Sequence, residues 1–180
     1  GNLTFKTKRD PGAIVTDDFA DCTLDTSVWT YVNPKNDSPL TLLGGGAQIS
    51  VPSGSGHDLW KAGLQAPRLM QFVTNQDFDV EVKFDSKVDK KTQTMGILAL
   101  QDNENWLRFN FQNDGIGANS IVVVNSAKNN PVVAFSTPIS IGAANYMRLN
   151  RAGDLWNLQY STDGTNWTFA TTVTRALTLN

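Results

Sequence analysis

The sequence alternates apolar and polar residues most clearly over 78–85, which reads FDVEVKFD. Successive side chains of a β-strand point to opposite faces of a sheet. This segment therefore predicts a strand with its phenylalanines and valines on one face and its charged residues on the other. Apolar segments of similar length recur at 94–101, 105–112, 120–126 and 131–137. No stretch keeps apolar residues at helical spacing over several turns, which argues against a helical fold.

Short polar segments separate these apolar runs. They include DNEN, AKNN, AGD and TDGT, which are rich in the residues that favour tight turns. Many short strands with turns between them predict an all-β protein, an antiparallel two-sheet β-sandwich of the jelly-roll type. The residues on the apolar parity of their strands are expected to be buried between the sheets: Val80, Val82, Phe84, Leu107, Phe109, Phe111, Leu149, Trp156, Leu158 and Tyr160.

The other face of segment 105–112 carries an unusual mixture of side chains. If the segment is a strand, this face is formed by Trp106, Arg108, Asn110 and Gln112. An indole stacks on the apolar face of a sugar ring, and amide and guanidinium groups bind its hydroxyls. The segment therefore predicts a carbohydrate-binding row. The alternative is that Trp106 covers the rim of the sandwich.

Composition narrows the class of protein. The chain has 180 residues, of which 40% are hydrophobic and 18% charged, and we expect one β-sandwich domain at 16–180 after a lead-in strand or linker at 1–15. A net charge of −2 without a basic block argues against nucleic-acid binding, and no apolar run is long enough to span a bilayer. The chain begins with Gly1 rather than Met, so we expect a processed or excised domain.

The carboxylates do not form the pattern that a glycosidase needs. Glu81 and Glu104 are the only glutamates, and neither belongs to a dense acidic row that supplies an acid together with a nucleophile or base. Lys83 lies between Glu81 and Asp85 on the same strand face, which favours a solvated surface. We therefore expect no catalytic residues and no enzyme activity.

A transition-metal or thiol site is not predicted either. Cys22 is the only cysteine and His57 the only histidine, so they cannot form a ligand set without carboxylates. A buried, inert Cys22 is favoured over a reactive one. The oxygen-rich segments 17–18, 21–25 and 101–105 contain ligands that calcium takes, but Asp and Asn are also turn residues. Turns are favoured there, a structural calcium ion is the alternative, and no other cofactor is expected.

Several motifs taken in order resemble a known family. APRLMQ, DFDVEVKF and DNENWLRF follow one another, with DDF before them and YMRLNRAGD and STDGTNW after them. Over about residues 16–173 the chain resembles the concanavalin A-like jelly-roll modules of extracellular proteins, including those at the C-terminus of β-xylosidases. The resemblance implies a lectin-type sandwich that binds carbohydrate or serves as an accessory module beside an enzyme, in a protein that is secreted or at the cell surface.

The end of the chain departs from this resemblance. Members of the family continue with further strands after the segment that corresponds to TFATTVT, whereas this sequence ends at Asn180. We therefore expect cleavage or truncation at this point, or a second chain or further domain that completes the sandwich by strand addition.

Residues from a loop extend the predicted sugar-binding surface. Trp60 lies beside His57 and Asp58 in a glycine-flanked segment. We expect this loop to close over the row on 105–112, with Arg68 nearby.

Glu81 is counted among the residues of the sugar-binding surface. Arg108 has an alternative to sugar binding, in which it pairs with Glu81 or Asp79 on a neighbouring strand. The remaining tryptophans are expected in the core: Trp29, Trp156 and Trp167.

Taken with the resemblance, these residues predict a non-catalytic, lectin-like accessory module that targets a parent extracellular enzyme or surface protein to a polysaccharide. The alternative is a structural or adhesive sandwich domain of a multidomain surface protein, which binds a protein partner or a complementing chain.

Overall fold

A computed structural model of the protein describes residues 12–61, 63–140 and 145–179. All regular elements within these ranges are β-strands, and no helix occurs among them. In chain order the strands are β1 (Trp29–Val32), β2 (Leu40–Leu42), β3 (Ala47–Ile49), β4 (Leu59–Trp60), β5 (Gly63–Leu64), β6 (Arg68–Gln71), β7 (Phe78–Phe84), β8 (Thr94–Leu100), β9 (Trp106–Asn113), β10 (Asn119–Ala127), β11 (Asn130–Ile139), β12 (Asn145–Ala152), β13 (Leu155–Ser161) and β14 (Thr168–Thr174).

The chain divides into two compact units, one reaching to Asn75 and the other comprising Gln76–Leu179. The first unit contains three antiparallel sheets of two strands each, formed by the pairs β1–β6, β2–β3 and β4–β5. The lead-in expected at 1–15 lies mostly outside the described residues, so its boundary stays a prediction.

The second unit is a sandwich of two four-stranded antiparallel sheets. Sheet 1 has the strand order β11-β10-β9-β8, and sheet 2 has the order β14-β13-β12-β7. Aromatic rings of the two sheets meet in the core: the centroids of Phe109 and Trp156 are 6.1 Å apart, as are those of Phe84 and Phe111. The predicted all-β, two-sheet sandwich is therefore confirmed.

The alternation in the sequence determines which side chains enter this core. Most of the residues predicted to lie between the sheets are fully buried: Leu107, Phe109, Phe111, Leu149, Trp156 and Leu158. Val80, Val82, Phe84 and Tyr160 remain partly exposed. The first three lie on β7, and an edge strand of sheet 2 has a neighbour on one side only. Trp156 satisfies its indole N–H within the core by donating to the carbonyl of Arg175 at 2.9 Å.

Candidate functional site

The row predicted on β9 does not form an open surface. Trp106 and Asn110 are each 1% exposed, and Arg108 and Gln112 are half-buried. The guanidinium Nε of Arg108 donates to Oδ1 of Asn110 at 2.9 Å, so polar groups of the row bind each other. The expectation that Trp106 is a half-exposed sugar platform is therefore wrong, because its indole is buried.

The neighbouring strand is buried on the same face. In the register of β9 and β10, Val124 lies opposite Arg108 and Val122 lies opposite Asn110, and both valines are buried. Apolar residues on both faces are typical of strands in a sheet that is buried on both sides. Along β9 and β10 the second face of sheet 1 is therefore buried as well, and Trp106 lies on that part of it.

Glu81 and Asp79 pair within sheet 2 and not with Arg108. Oε2 of Glu81 accepts hydrogen bonds from Nη2 and Nε of Arg148 at 2.8 and 3.3 Å. Oδ1 of Asp79 accepts one from Nδ2 of Asn150 at 3.0 Å. Both acids lie on β7, which pairs with β12, whereas Arg108 lies on β9 in the other sheet. The alternative in which Arg108 pairs with these acids is therefore wrong.

In the first unit, His57 anchors the loop that precedes Trp60. Nε2 of His57 lies 2.8 Å from Oδ1 of Asp37, and its Nδ1 lies 2.9 Å from the carbonyl oxygen of Ser55. The side chain of His57 is 6% exposed, so its polar atoms hold the loop and are not open to a ligand. The hydrogen bond from His57 is the main reason that the pKa of Asp37 lies below its usual value.

Arg68 is engaged in the same way. Its Nη1 donates to the carbonyls of Leu64 and Ala66 at 3.0 and 2.9 Å, and burial lowers the pKa of its guanidinium. Trp60 is half-buried in the β4–β5 hairpin, and Asp58 is exposed. Ligand binding by Trp60 and Asp58 stays a prediction.

The other tryptophans and the cysteine differ in part from expectation. Trp156 is fully buried, as predicted for a core residue. Trp29 is only half-buried, and its Nε1 donates to Oδ2 of Asp17 at 2.8 Å. Trp167 is also half-buried, in the loop between β13 and β14. Cys22, expected to be buried, is exposed.

The open polar surface of the second unit lies on sheet 2. Along its four strands, the residues that alternate with the core residues point away from sheet 1 and form what we call the outer face. The outer face includes Asp79, Glu81, Lys83, Tyr146, Arg148, Asn150, Leu155, Asn157, Gln159, Phe169, Thr172 and Thr174, with Trp167 at its margin.

An aromatic and ionic cluster on the outer face surrounds Arg148. The guanidinium carbon of Arg148 lies 3.8 Å from the centroid of the Trp167 ring, which is a cation–π contact. Glu81 holds the same guanidinium by an ion pair, and the side chains of Arg148 and Glu81 are 37% and 42% exposed. The ring of Tyr146 meets Trp167 edge-on at 6.5 Å between centroids. Arg148 is thus fixed from two sides and still reaches solvent.

A tight loop positions Trp167. Oδ1 of Asp163 accepts hydrogen bonds from the backbone N–H groups of Thr165 and Asn166, both at 2.8 Å, and from the hydroxyl of Ser161 at 2.9 Å. Nδ2 of Asn166 donates to the other carboxylate oxygen at 2.8 Å. These bonds, that of the Asn166 side chain foremost, hold the pKa of Asp163 far below its usual range. The turn that TDGT predicts therefore supports the half-buried Trp167.

A second row crosses all four strands of sheet 2. The hydroxyl of Thr172 donates to Oδ1 of Asn157 at 2.6 Å, and Nδ2 of Asn157 donates to Oδ1 of Asn150 at 2.9 Å. Nδ2 of Asn150 in turn donates to Asp79. We call this chain of side-chain hydrogen bonds the polar ladder. Its members lie on neighbouring strands at paired register positions, so the backbone fixes their spacing.

Sequence analysis missed most of the outer face, although a signal was present. The segment YMRLN places Tyr146, Arg148 and Asn150 on the parity opposite Met147 and Leu149. On β9, aromatic, arginine and asparagine side chains alternate with apolar ones in the same way. The two strands differ in whether the second face of their sheet is buried, which no single strand reveals.

Within the described residues, no group of three or more His, Cys, Asp or Glu side chains could hold a metal ion. Oδ1 of Asp102, in one oxygen-rich segment, accepts the backbone N–H groups of Glu104 and Asn105 at 2.8 Å each, as in a turn. In the same part of the chain, no helix is long and apolar enough to cross a membrane.

Solved structures of other proteins share the fold. The GH43 protein BlXynB from Bacillus licheniformis is similar with a TM-score of 0.73 and 19% identity, over 89% of this chain and 30% of that one. A xylan β-1,4-xylosidase from Bacillus halodurans C-125 gives 0.70 and 15%, over 96% and 33%. A functionally unknown protein from Saccharomyces cerevisiae gives 0.64 and 15%, over 84% and 82%. The chain thus spans about a third of the two bacterial structures, and at these identities the likeness establishes the fold alone.

A family model gives the remaining comparison. No curated protein matches the chain. The model described as "Protein of unknown function (DUF1349)" matches residues 42–177, which is most of the sequence. The chain therefore belongs to this family.

Proposed function

We propose that the protein is a non-catalytic carbohydrate-binding module and that the outer face of sheet 2 binds the sugar. The observation that carries this proposal is the exposed cluster in which Arg148 stacks on Trp167 and pairs with Glu81. The description of one similar structure as a xylan β-1,4-xylosidase supports a polysaccharide context. In that context the module is secreted or at the cell surface and serves a parent enzyme or surface protein.

The chemistry of the cluster suits a sugar ring. The half-exposed indole of Trp167 provides an apolar surface, and Tyr146 adds a second aromatic ring beside it. Arg148 offers guanidinium N–H donors to hydroxyl groups, and the carboxylate of Glu81 offers acceptors. Because the ion pair and the indole already hold Arg148 in place, sugar binding costs little additional side-chain entropy.

The same contacts favour binding over hydrolysis. A glycosidase needs one carboxyl group that is kept protonated, which burial in an apolar site achieves, beside a second carboxylate. Glu81 and Asp79 are both exposed, and each is engaged by a neighbouring side chain on β12. We therefore expect no turnover of polysaccharide by the isolated chain.

Affinity electrophoresis of the whole chain in gels that contain soluble polysaccharides tests the proposal. We expect retardation by at least one polysaccharide and its loss in Trp167→Ala. Phe72→Ala is the matched control, because Phe72 is a 63% exposed aromatic residue of the first unit and not part of the outer face. Unretarded migration of the wild type in every gel, or equal retardation of wild type and Trp167→Ala, would contradict the proposal.

A second candidate function rests on β11. Val132 and Val133 are 49% and 55% exposed on this edge strand of sheet 1, next to an irregularity in its pairing with β10. Neighbouring exposed valines favour a protein contact, as in a structural or adhesive domain. Pro131 and Pro138 lack backbone N–H groups, so this contact would use side chains more than strand addition. Concentration-dependent association that is lost in Val133→Asp, measured by analytical ultracentrifugation, would support this function.

A further inference from the structure

We infer that the ligand of the outer face is an uncharged glycan chain that lies over both the aromatic cluster and the polar ladder. This inference rests on the proposed function and adds the class of ligand. It follows from the size of the surface, from the hydrogen-bonding groups of the ladder and from the distribution of charge.

The two rows are direct neighbours on the sheet. Asp79 and Glu81 are two residues apart on β7, and Asn150 and Arg148 are two residues apart on β12. Two residues of a strand span about 7 Å, and four strands at about 4.8 Å spacing span about 14 Å. The combined surface is longer than one sugar ring, so it suits consecutive sugars of a chain better than a single monosaccharide.

The polar ladder provides both donors and acceptors. A primary amide carries two N–H donors and a carbonyl oxygen with two lone pairs. Asn150 and Asn157 each use one N–H and one lone pair within the ladder, and Asp79 uses one of its two oxygens. In the part of the chain that the structure describes, each of these groups therefore keeps capacity for a ligand. A sugar hydroxyl both donates and accepts, which matches this mixed set.

The charges of the outer face disfavour an acidic glycan. Both cations are already neutralised, Arg148 by Glu81 and Lys83 by Asp85 at 2.7 Å. Asp79 accepts a hydrogen bond from the neutral amide of Asn150, so neither ion pair compensates its negative charge. A uronic acid polymer would bring carboxylates towards Asp79 without gaining a free cation. A neutral chain avoids this repulsion.

The test compares neutral and acidic polymers on the whole chain. We would measure retardation by a neutral xylan, a neutral β-glucan, polygalacturonate and alginate, and then titrate oligosaccharides of increasing length from the polymer that binds. We expect binding to a neutral polymer with little salt dependence, and affinity that rises with length beyond the monosaccharide. A preference for polygalacturonate or alginate, or full affinity for a monosaccharide, overturns the inference.

Variants of the polar ladder separate this inference from the proposed function. Loss of one hydrogen bond to the ligand should weaken binding about threefold to tenfold in Asn157→Ala. Thr172→Val keeps the shape of the side chain and removes the hydroxyl that orients Asn157, so it serves if Asn157→Ala folds poorly, with about threefold weaker binding expected. Ser136→Ala, an exposed position on sheet 1, is the control and should bind as the wild type does.

The outcomes differ for the two proposals. If Trp167→Ala abolishes binding while Asn157→Ala and Thr172→Val bind normally, the outer face still binds sugar but the ladder does not contact it, and the inference is wrong. If no polysaccharide binds the wild type, the proposed function fails as well.

Discussion

Replacing Trp106 by alanine should destabilise the protein and leave sugar binding intact. The side chain of Trp106 is 1% exposed, so its removal leaves a cavity in a closely packed region. Truncation of a buried tryptophan costs about 3–5 kcal/mol. For a chain of this size each kcal/mol lowers the melting temperature by roughly 2–4 °C, so we expect a decrease on the order of 10 °C.

Trp167→Ala provides the opposite case. Trp167 is half-buried at the margin of the outer face, and its main contact is the guanidinium of Arg148. A contact of this kind at an exposed site contributes about 0.5–1 kcal/mol. The melting temperature should therefore fall by only a few degrees, roughly 1–4 °C, while retardation by polysaccharide is lost.

Two measurements on the same protein samples decide between these expectations. Thermal unfolding followed by circular dichroism reports stability, and affinity electrophoresis at a temperature below all transitions reports binding. Trp156→Ala, at a fully buried core position, shows how large the loss of a core tryptophan is in this protein. If Trp106→Ala melts like the wild type and binds polysaccharide more weakly, then both the burial of Trp106 and the assignment of the outer face are wrong.

Three further predictions concern the supports of the fold and of the outer face. A Cβ atom on Gly96 would lie 1.9 Å from the carbonyl oxygen of Phe109 on the neighbouring strand. Gly96→Ala should therefore lower the free energy of unfolding by about 1–3 kcal/mol or more. An unchanged midpoint of unfolding in urea would contradict this close approach. Arg148→Lys keeps the charge but loses the planar group that stacks on Trp167, so polysaccharide binding should weaken severalfold in a titration, and equal affinity would show that charge alone matters. The folded-state pKa of Asp163 is lower than its unfolded value near 3.8. The stability that this carboxylate contributes is therefore complete above that pH and is lost as the pH falls further towards the folded-state pKa. The loop should loosen in acid, with a change in Trp167 fluorescence that is absent in Asp163→Asn.

The sandwich could be predicted from the sequence because the signals for its strands and turns lie within short segments. The alternation on β7 and the apolar parity of β9 and β13 placed Phe109, Phe111, Trp156 and Leu158 in the core, where the structure has them. The turn residues between strands marked where the chain reverses. Both kinds of information are local, since a strand's period and a turn's backbone conformation depend on adjacent residues.

The candidate site was predicted less well because it depends on which strands are neighbours. Arg108 and Arg148 both alternate with apolar residues along their strands. The sequence alone does not show with which of the two Glu81 pairs. Sheet order decides the partner: β7 pairs with β12, so Arg148 takes Glu81. Sheet order is a non-local property, and the sequence of a single strand does not contain it.

Once the pairing is known, the sequences of the neighbouring strands show whether the second face of a sheet is buried or exposed. β10, which pairs with β9, contains Val122, Val123 and Val124 in succession, a continuous apolar run of the kind found in strands buried on both faces. Polar groups on such a face must satisfy one another, as Arg108 and Asn110 do. β12 instead lies between β7 and β13, and the outward residues beside Arg148 and Asn150 on those strands are all polar or charged: Asp79, Glu81, Asn157 and Gln159. A row of Trp, Arg and Asn therefore indicates a binding surface only where the strands on either side are also polar on that face, and in this protein that condition holds for sheet 2 and fails for sheet 1.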